Sequence, residues 1–343
     1  MGLQYYEDAG KFTNVGSVKT AGGCGIFAEN LQYQATMGLL IVGTVAFDAL
    51  ETPFGKTDKI LGGAATYIGL SASHFVPKSH LVSVVGGDFP QEHMDLLASK
   101  GVDLAGLQVK KDEKTFFWSG KYHLDMNSRD TVDTQLNVLA DFDPVVPQEF
   151  MHCTYLMLGN LVPAVQKRVL AQLPQRPKLI VLDTMNFWME NALPDLLEAI
   201  KEVDVLTIND EEARLLSGEL NLVKAAQKIR TLGPKTLIIK KGEHGALLFG
   251  QNDEIFFAPA LPLADVVDPT GAGDTFAGGF IGYLAQTDDT SFENMKRALL
   301  YAATMASFCV EKFGTERLNT LTTEEVAVRR AQFTQLVHVH PVS

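Results

Sequence analysis

From Leu39 to Phe249 the chain alternates short apolar runs with amphipathic stretches, and nothing else in it limits the fold so sharply. Leu39–Val45, Leu81–Val85, Tyr155–Leu158, Leu179–Leu182, Val205–Ile208, Thr236–Ile239 and Ala246–Phe249 read as strands. They are almost wholly apolar, as strands covered on both faces must be. Ala65–Phe75, Gln91–Lys100, Ala164–Leu173, Pro194–Glu202, Asp210–Leu216 and Val223–Leu232 read as helices between them, and Ser291–Phe313 and Leu321–Val337 as two more near the C-terminus. Strands alternating with helices form βαβ units around a parallel sheet. The expected fold is therefore α/β: a doubly wound, mainly parallel sheet with helices on both faces.

Two stretches break the alternation. Residues 49–61 and 107–140 hold strand-like pieces with little helical signal, among them Lys114-Thr-Phe-Phe-Trp-Ser-Gly-Lys-Tyr122. They are expected to pair as a discontinuous β-sheet lid on a core built from 37–48, 62–106 and 141–343; a lid excludes water from a reaction. Phe116, Phe117, Trp118 and Tyr122 suit either a stacking surface for a base or sugar or a hydrophobic sheet face, packed on the core or buried in a homodimer. Residues 1–36 show neither period and no signal-peptide core, so they read as an irregular arm or a non-native extension, with Met37 as a candidate native start.

The formal charge of −12 argues against nucleic acid and against an anionic membrane surface. No apolar stretch is long enough to span a bilayer. Cys24, Cys153 and Cys309 are scattered and lack a CxxC partner. They suit reduced, structural thiols in a cytoplasmic protein. His338 and His340 form a terminal H-x-H without a further ligand, read as solvent-exposed.

The chemistry concentrates in Asp268-Pro-Thr-Gly-Ala-Gly-Asp-Thr275, which runs into the apolar stretch Phe276–Tyr283. Gly271, Ala272 and Gly273 are small enough to let backbone N–H groups meet an anion at a helix N-terminus. Asp274 beside a bound phosphate would be repelled unless it accepted a proton, and the proton of an acceptor hydroxyl gives it that task. The competing reading is an ordinary helix start with an acidic first-turn residue.

With Gly62-Gly63-Ala64-Ala65 and Asn209-Asp-Glu-Glu212, this run resembles the ribokinase-like, or PfkB-type, carbohydrate kinase family, in order from Met37 to about Leu318. The resemblance implies an ATP-dependent kinase that phosphorylates a hydroxyl of a small sugar, with Asp274 as base, Gly271–Gly273 as anion hole and Mg²⁺ bridging ATP. The alternatives are a nucleoside kinase of adenosine, cytidine or inosine type on the same fold and, from another class, a non-catalytic nucleotide- or sugar-binding module. No G-x-x-x-x-G-K-[ST] loop, protein-kinase signature or G-x-G-x-x-G after the first strand supports another nucleotide enzyme.

Further residues acquire roles by resemblance. Asp48, at the end of the first strand, would accept hydrogen bonds from acceptor hydroxyls, its rival role being a turn Asp. Gly62 and Gly63 would let backbone meet the acceptor; Thr66-Tyr67 follow where many members carry Asn, a departure at the ribose-recognising position. Asp183-Thr-Met-Asn186 stands where relatives have Asp-Pro-Asn and an Arg; Asn186 would touch substrate or cap a helix, and Trp188 lies near the place of that Arg with no neighbouring cation. Asn209, Lys241, Gly242, Gly245, Thr270 and Ala303 would contact nucleotide, with Ser307 beside Ala303; Lys240–Gly245 also fits a plain glycine hairpin. Glu212 would organise Mg²⁺ through water. Backbone oxygens of Asp268 and Thr270 are the candidates for a monovalent cation, K⁺, as in some relatives.

Overall fold

Leu39 and Ile41 enter one hydrophobic cluster while Leu40 and Val42 enter another, so the first strand is covered on both faces. Period-two side chains in a sheet clad by helices on each side require this. The protein is described by a computed structural model over residues 38–338. The expected arm 1–36, Met37, Cys24 and His340 lie outside those residues.

The strands are β1 (Leu39–Val42), β2 (Ala46–Thr52), β3 (Gly55–Lys56), β4 (Ile60–Gly62), β5 (Ser79–Gly86), β6 (Val102–Lys110), β7 (Phe117–Tyr122), β8 (Arg129–Gln135), β9 (Tyr155–Leu158), β10 (Leu179–Asp183), β11 (Val205–Asn209), β12 (Thr236–Lys240), β13 (Ala246–Phe249) and β14 (Ile255–Ala258). The helices are α1 (Ala64–Ala72), α2 (Gln91–Ser99), α3 (Pro163–Gln172), α4 (Asn186–Asn191), α5 (Leu193–Lys201), α6 (Asp210–Ser217), α7 (Leu222–Arg230), α8 (Ala272–Thr287), α9 (Phe292–Cys309), α10 (Glu316–Thr320) and α11 (Thr323–Val337).

The large sheet has nine strands in the order β14-β13-β12-β11-β10-β9-β1-β5-β6. Pairing is parallel from β12 through β6, and β13 and β14 add an antiparallel edge. The chain winds outward from β1 to β5 and β6, then returns to β9 and winds the other way. That reversal opens a crevice at the carboxyl ends of β1 and β9, where open α/β sheets bind ligands.

A smaller sheet joins β3-β2-β7-β8 with β4 on β2. β2 runs parallel to β7 and pairs Asp48 with Trp118, so the two stretches that break the helical pattern do meet. The expected lid span beginning at 107 needs correction: residues 107–110 belong to β6 and pair with β5 in the large sheet. β6 is an edge strand with mostly half-exposed residues, and its sequence lacks the continuous apolar run of the inner strands. Cys153 and Cys309 are buried free thiols, and among the described residues no helix is long and apolar enough to cross a membrane.

Candidate active site

The loop before α8 is held from several sides. Asp268 Oδ1 accepts from the Thr270 N–H at 2.9 Å and Oδ2 from the Gly314 N–H at 2.8 Å. The Val267 and Asp268 N–H groups donate to the Val310 carbonyl. This clasp explains why the helix expected through Phe313 ends at Cys309: residues 310–315 turn back to grip the loop. Beneath it, Gly271 has φ +73°, and a Cβ there would stand 2.5 Å from the Tyr67 ring. Helix α8 rests on α1 so closely that a Cβ on Gly278 would meet the Ile68 carbonyl at 2.4 Å, and Ser71 Oγ donates to the Thr275 carbonyl at 2.7 Å.

The N–H groups of Gly271, Gly273 and Asp274 have no protein acceptor among the described residues. They are the unpaired donors of a helix start, pointed at the carboxyl edge of the sheet. Around them stand charges delivered by adjacent strand ends. Asp183 closes β10 and Lys240 closes β12, and Lys240 Nζ bonds both Asp183 oxygens at 3.0 and 3.1 Å. A Cβ on Gly273 would lie 3.3 Å from Lys240 Nζ, so this cation adjoins the cradle. Between these strands, Asn209 closes β11 and forms a capping box with Glu212: Glu212 Oε2 accepts the Asn209 N–H at 2.7 Å, and Asn209 Oδ1 accepts the Glu212 N–H at 2.8 Å.

Burial and mutual repulsion shape the titration of this cluster. Asp274 is pushed up to about 7 by burial and then by Asp183, with Lys240 and Arg129 pulling the other way. Burial also lifts Glu212 to about 7, where Lys240 works to lower it and Asp183 to raise it. Burial opposes the charge of Lys240, yet Asp183 and Glu212 outweigh it and hold its pKa above the ordinary lysine value. The site therefore holds a fixed cation beside carboxyls poised near neutrality.

Across the crevice, Asp48 is 5% exposed. Burial, followed by Asp268 and Asp274, lifts it to about 7, while the Gly63 N–H holds it down. The charge of Asp274 contributes to the raised pKa of Asp48, so the two carboxyls lie within electrostatic reach of each other. Gly62 is required here: its Cβ would fall 2.0 Å from Asp48 Oδ2. Gly63 turns the chain with φ +93° so close to Thr44 that a Cβ would meet its carbonyl at 2.5 Å, and Thr44 Oγ1 accepts the Ala64 N–H at 2.9 Å.

The β7–β8 hairpin closes over these groups. Thr270 Oγ1 donates to Tyr122 Oη at 3.1 Å, and a Cβ on Gly242 would lie 2.8 Å from Asn127 Oδ1. Arg129 pairs with Tyr122 in register and stands near enough to affect both Asp274 and Glu212.

Of the residues named from sequence, Asp48, Gly62, Gly63, Asn209, Glu212, Asp268, Thr270, Gly271, Ala272, Gly273 and Asp274 converge on this crevice. Lys241, Gly242 and Gly245 lie beside it in the turn between β12 and β13; Gly242 and Gly245 have φ +53° and +80°. Ala303 and Ser307 are buried on α9. Asn186 is exposed and accepts only from its neighbour's N–H at 3.0 Å, so the structure does not bring its side chain to the cluster. Trp188 donates to Asn160 instead of standing in for a cation. The expectation of no nearby cation is corrected by Lys240 and Arg129, which reach Asp183 and Asp274 through the fold. Lys240 had a signal, being a charge at the carboxyl end of an otherwise apolar buried strand; Arg129 becomes visible only through the hairpin register. For Mg²⁺ the donors fit, since Glu212 and Asp183 are hard, crowded carboxylates that a divalent cation would relieve.

Residues 43–321 match the pfkB family carbohydrate kinase. A cytidine kinase from Thermococcus kodakarensis is 31% identical over 253 residues, covering 72% of this chain and 88% of that one. The solved nucleoside kinase of Methanocaldococcus jannaschii superposes with a TM-score of 0.69 at 21% identity, covering 86% of this chain and 98% of the other. A putative ribokinase II from E. coli, solved with ATP and Mg²⁺, gives 0.70 at 20% identity, over 86% and 99%.

Proposed function

We propose that this chain, which belongs to the pfkB family of carbohydrate kinases, transfers the γ-phosphoryl group of ATP to a hydroxyl of a small sugar with Asp274 as the base. The observation that supports this most is the position of Asp274 in the first turn of α8, next to unpaired N–H donors and in the field of Asp48. With a pKa near 7, its carboxylate is a better base at neutral pH than an ordinary aspartate, and it still deprotonates the acceptor late, as the loose phosphoryl transition state demands.

Each neighbour then has a task. The free Gly271 and Gly273 N–H groups receive the phosphoryl oxygens, and Lys240, fixed by Asp183, supplies positive charge where negative charge crowds. Asp48, oriented by Gly63, holds acceptor hydroxyls, while the Tyr122–Thr270 contact keeps the lid over the reaction and water out of it. Nucleotide reaches the crevice along Asn209, Lys241, Gly242, Gly245 and the α9 side with Ala303. Mg²⁺, held through Glu212 and Asp183, would neutralise phosphate charge. K⁺ at the Asp268 and Thr270 carbonyls, and a homodimer through the outer lid face, are part of the proposal; turnover with and without K⁺ and sedimentation test them.

A nucleoside acceptor is the second reading, favoured by the likeness to a cytidine kinase. An ADP-release screen over sugars and nucleosides tests both: acceptor-dependent release is expected, and none with any acceptor refutes the function.

A further inference from the structure

The four lid aromatics that the sequence leaves ambiguous separate in the structure. Phe117 pairs in register with Phe47 and packs on one core cluster, and Phe116 packs on the other. Tyr122 is engaged with Thr270. Trp118 alone remains, half-buried, with no aromatic partner among the described residues.

Its placement is specific. Trp118 pairs directly with Asp48, so the two side chains share one face of the small sheet, together with Tyr122 and, across the hairpin, Arg129. The indole lies down along that face over Gly120: a Cβ at residue 120 would stand 2.2 to 2.9 Å from its ring atoms. Thr131 Oγ1 accepts from indole Nε1 at 3.4 Å and orients the ring, and the Arg129 guanidinium lies over the ring 5.8 Å from its centroid, at the outer limit of a cation–π contact. A flat ring is thus laid on the strand next to β2, on the same sheet face as the carboxylate proposed to hold acceptor hydroxyls.

We infer that Trp118, lying over Gly120 beside Asp48, is a stacking platform for the base of a nucleoside acceptor, which makes it the residue that separates nucleosides from free sugars. This rests on the phosphoryl-transfer reading above and narrows its substrate class. A free sugar uses its hydroxyls between Asp48 and Asp274 and offers the indole only C–H edges. A nucleoside presents the same hydroxyls and adds a planar heterocycle. Stacking is tolerant of base identity, so the platform selects for a base and leaves the choice among bases to other contacts.

The chain has two tryptophans, Trp118 and Trp188, so Trp188→Phe leaves Trp118 as the sole indole emitter. Titrating this variant without ATP, cytidine and adenosine are expected to quench its emission saturably, and ribose to leave it unchanged. In turnover, Trp118→Leu is expected to raise the nucleoside KM on the order of tenfold or more while the ATP KM moves less than about twofold; Gly120→Ala, which displaces the indole, should do the same. The inference is overturned if nucleosides are phosphorylated without perturbing Trp118 emission, if Trp118→Leu leaves their KM unchanged, or if ribose is turned over as efficiently as cytidine. Absence of ADP release with every acceptor would instead sink the kinase function, while the quench titration would still read the platform.

Discussion

Replacing Asp274 by Asn should stabilise the unliganded protein above neutral pH. Burial and then Asp183 lift this carboxyl from 3.8 to about 7. A carboxyl raised on folding is no burden below its unfolded value; the folded state loses stability as pH climbs from about 4 through 7, and the loss is complete above that. Borne by one isolated group, that displacement corresponds to about 4 kcal/mol. Asp274 is only partly withdrawn from solvent, and Asp183, Lys240 and Glu212 share the field, so the substitution recovers about 1–2 kcal/mol of it. Against this, Asn loses the favourable interaction of a negative charge with the start of α8, about 0.3–1 kcal/mol. The net gain is about 1 kcal/mol, a rise in Tm of roughly 2 °C for a chain this long. Calorimetry at pH 8 should show that rise, and at pH 3.5, where the carboxyl is largely protonated in both the folded and the unfolded chain, almost none. An Asn variant that melts below the wild type at pH 8, or is shifted equally at both pH values, would refute the reasoning. A residue that weakens the fold and is nevertheless present suits a site shaped for reaction rather than stability.

Gly62→Ala should strike the acceptor alone, because its methyl would occupy the place of Asp48 Oδ2, 2.0 Å away; steady-state kinetics should show an acceptor KM raised about tenfold or more with the ATP KM nearly unchanged. Lys240→Met leaves Asp183 buried without its cation and should cost about 3–5 kcal/mol. Adding Asp183→Asn should restore much of the Tm but not the turnover, since the cation beside Gly273 is still missing; recovery of both would mean the pair is structural only.

The inner sheet is legible because each of its strands must be apolar on both faces. Tyr155–Leu158 and Ala246–Phe249 coincide with β9 and β13 residue for residue. β6 escapes this logic at the edge, where Asp103, Gln108 and Lys110 interrupt the apolar pattern. The cradle is legible because small residues, a helix start and a carboxylate fall within eight positions of sequence. Its surroundings are not. Lys240 meets Asp183 because β10 and β12 flank β11, and Arg129 reaches the cluster because a hairpin register sets it opposite Tyr122. Neither relation is local in sequence. Asn186 shows the converse: its position in the motif resembles a ligand contact, yet in the first turn of α4 its side chain accepts from the Phe187 N–H.

The central claim is that Asp274 accepts the proton of the hydroxyl being phosphorylated. Single-turnover transfer from ATP, measured for wild type and Asp274→Asn with the best acceptor at saturating ATP, tests it most directly. The account predicts a rate lower by on the order of 100-fold or more in the variant, with nucleotide affinity changed only a few-fold, and a wild-type rate that falls as pH drops through about 7. A variant that transfers at a near-normal rate, or a wild type indifferent to pH between 5 and 8, would contradict it.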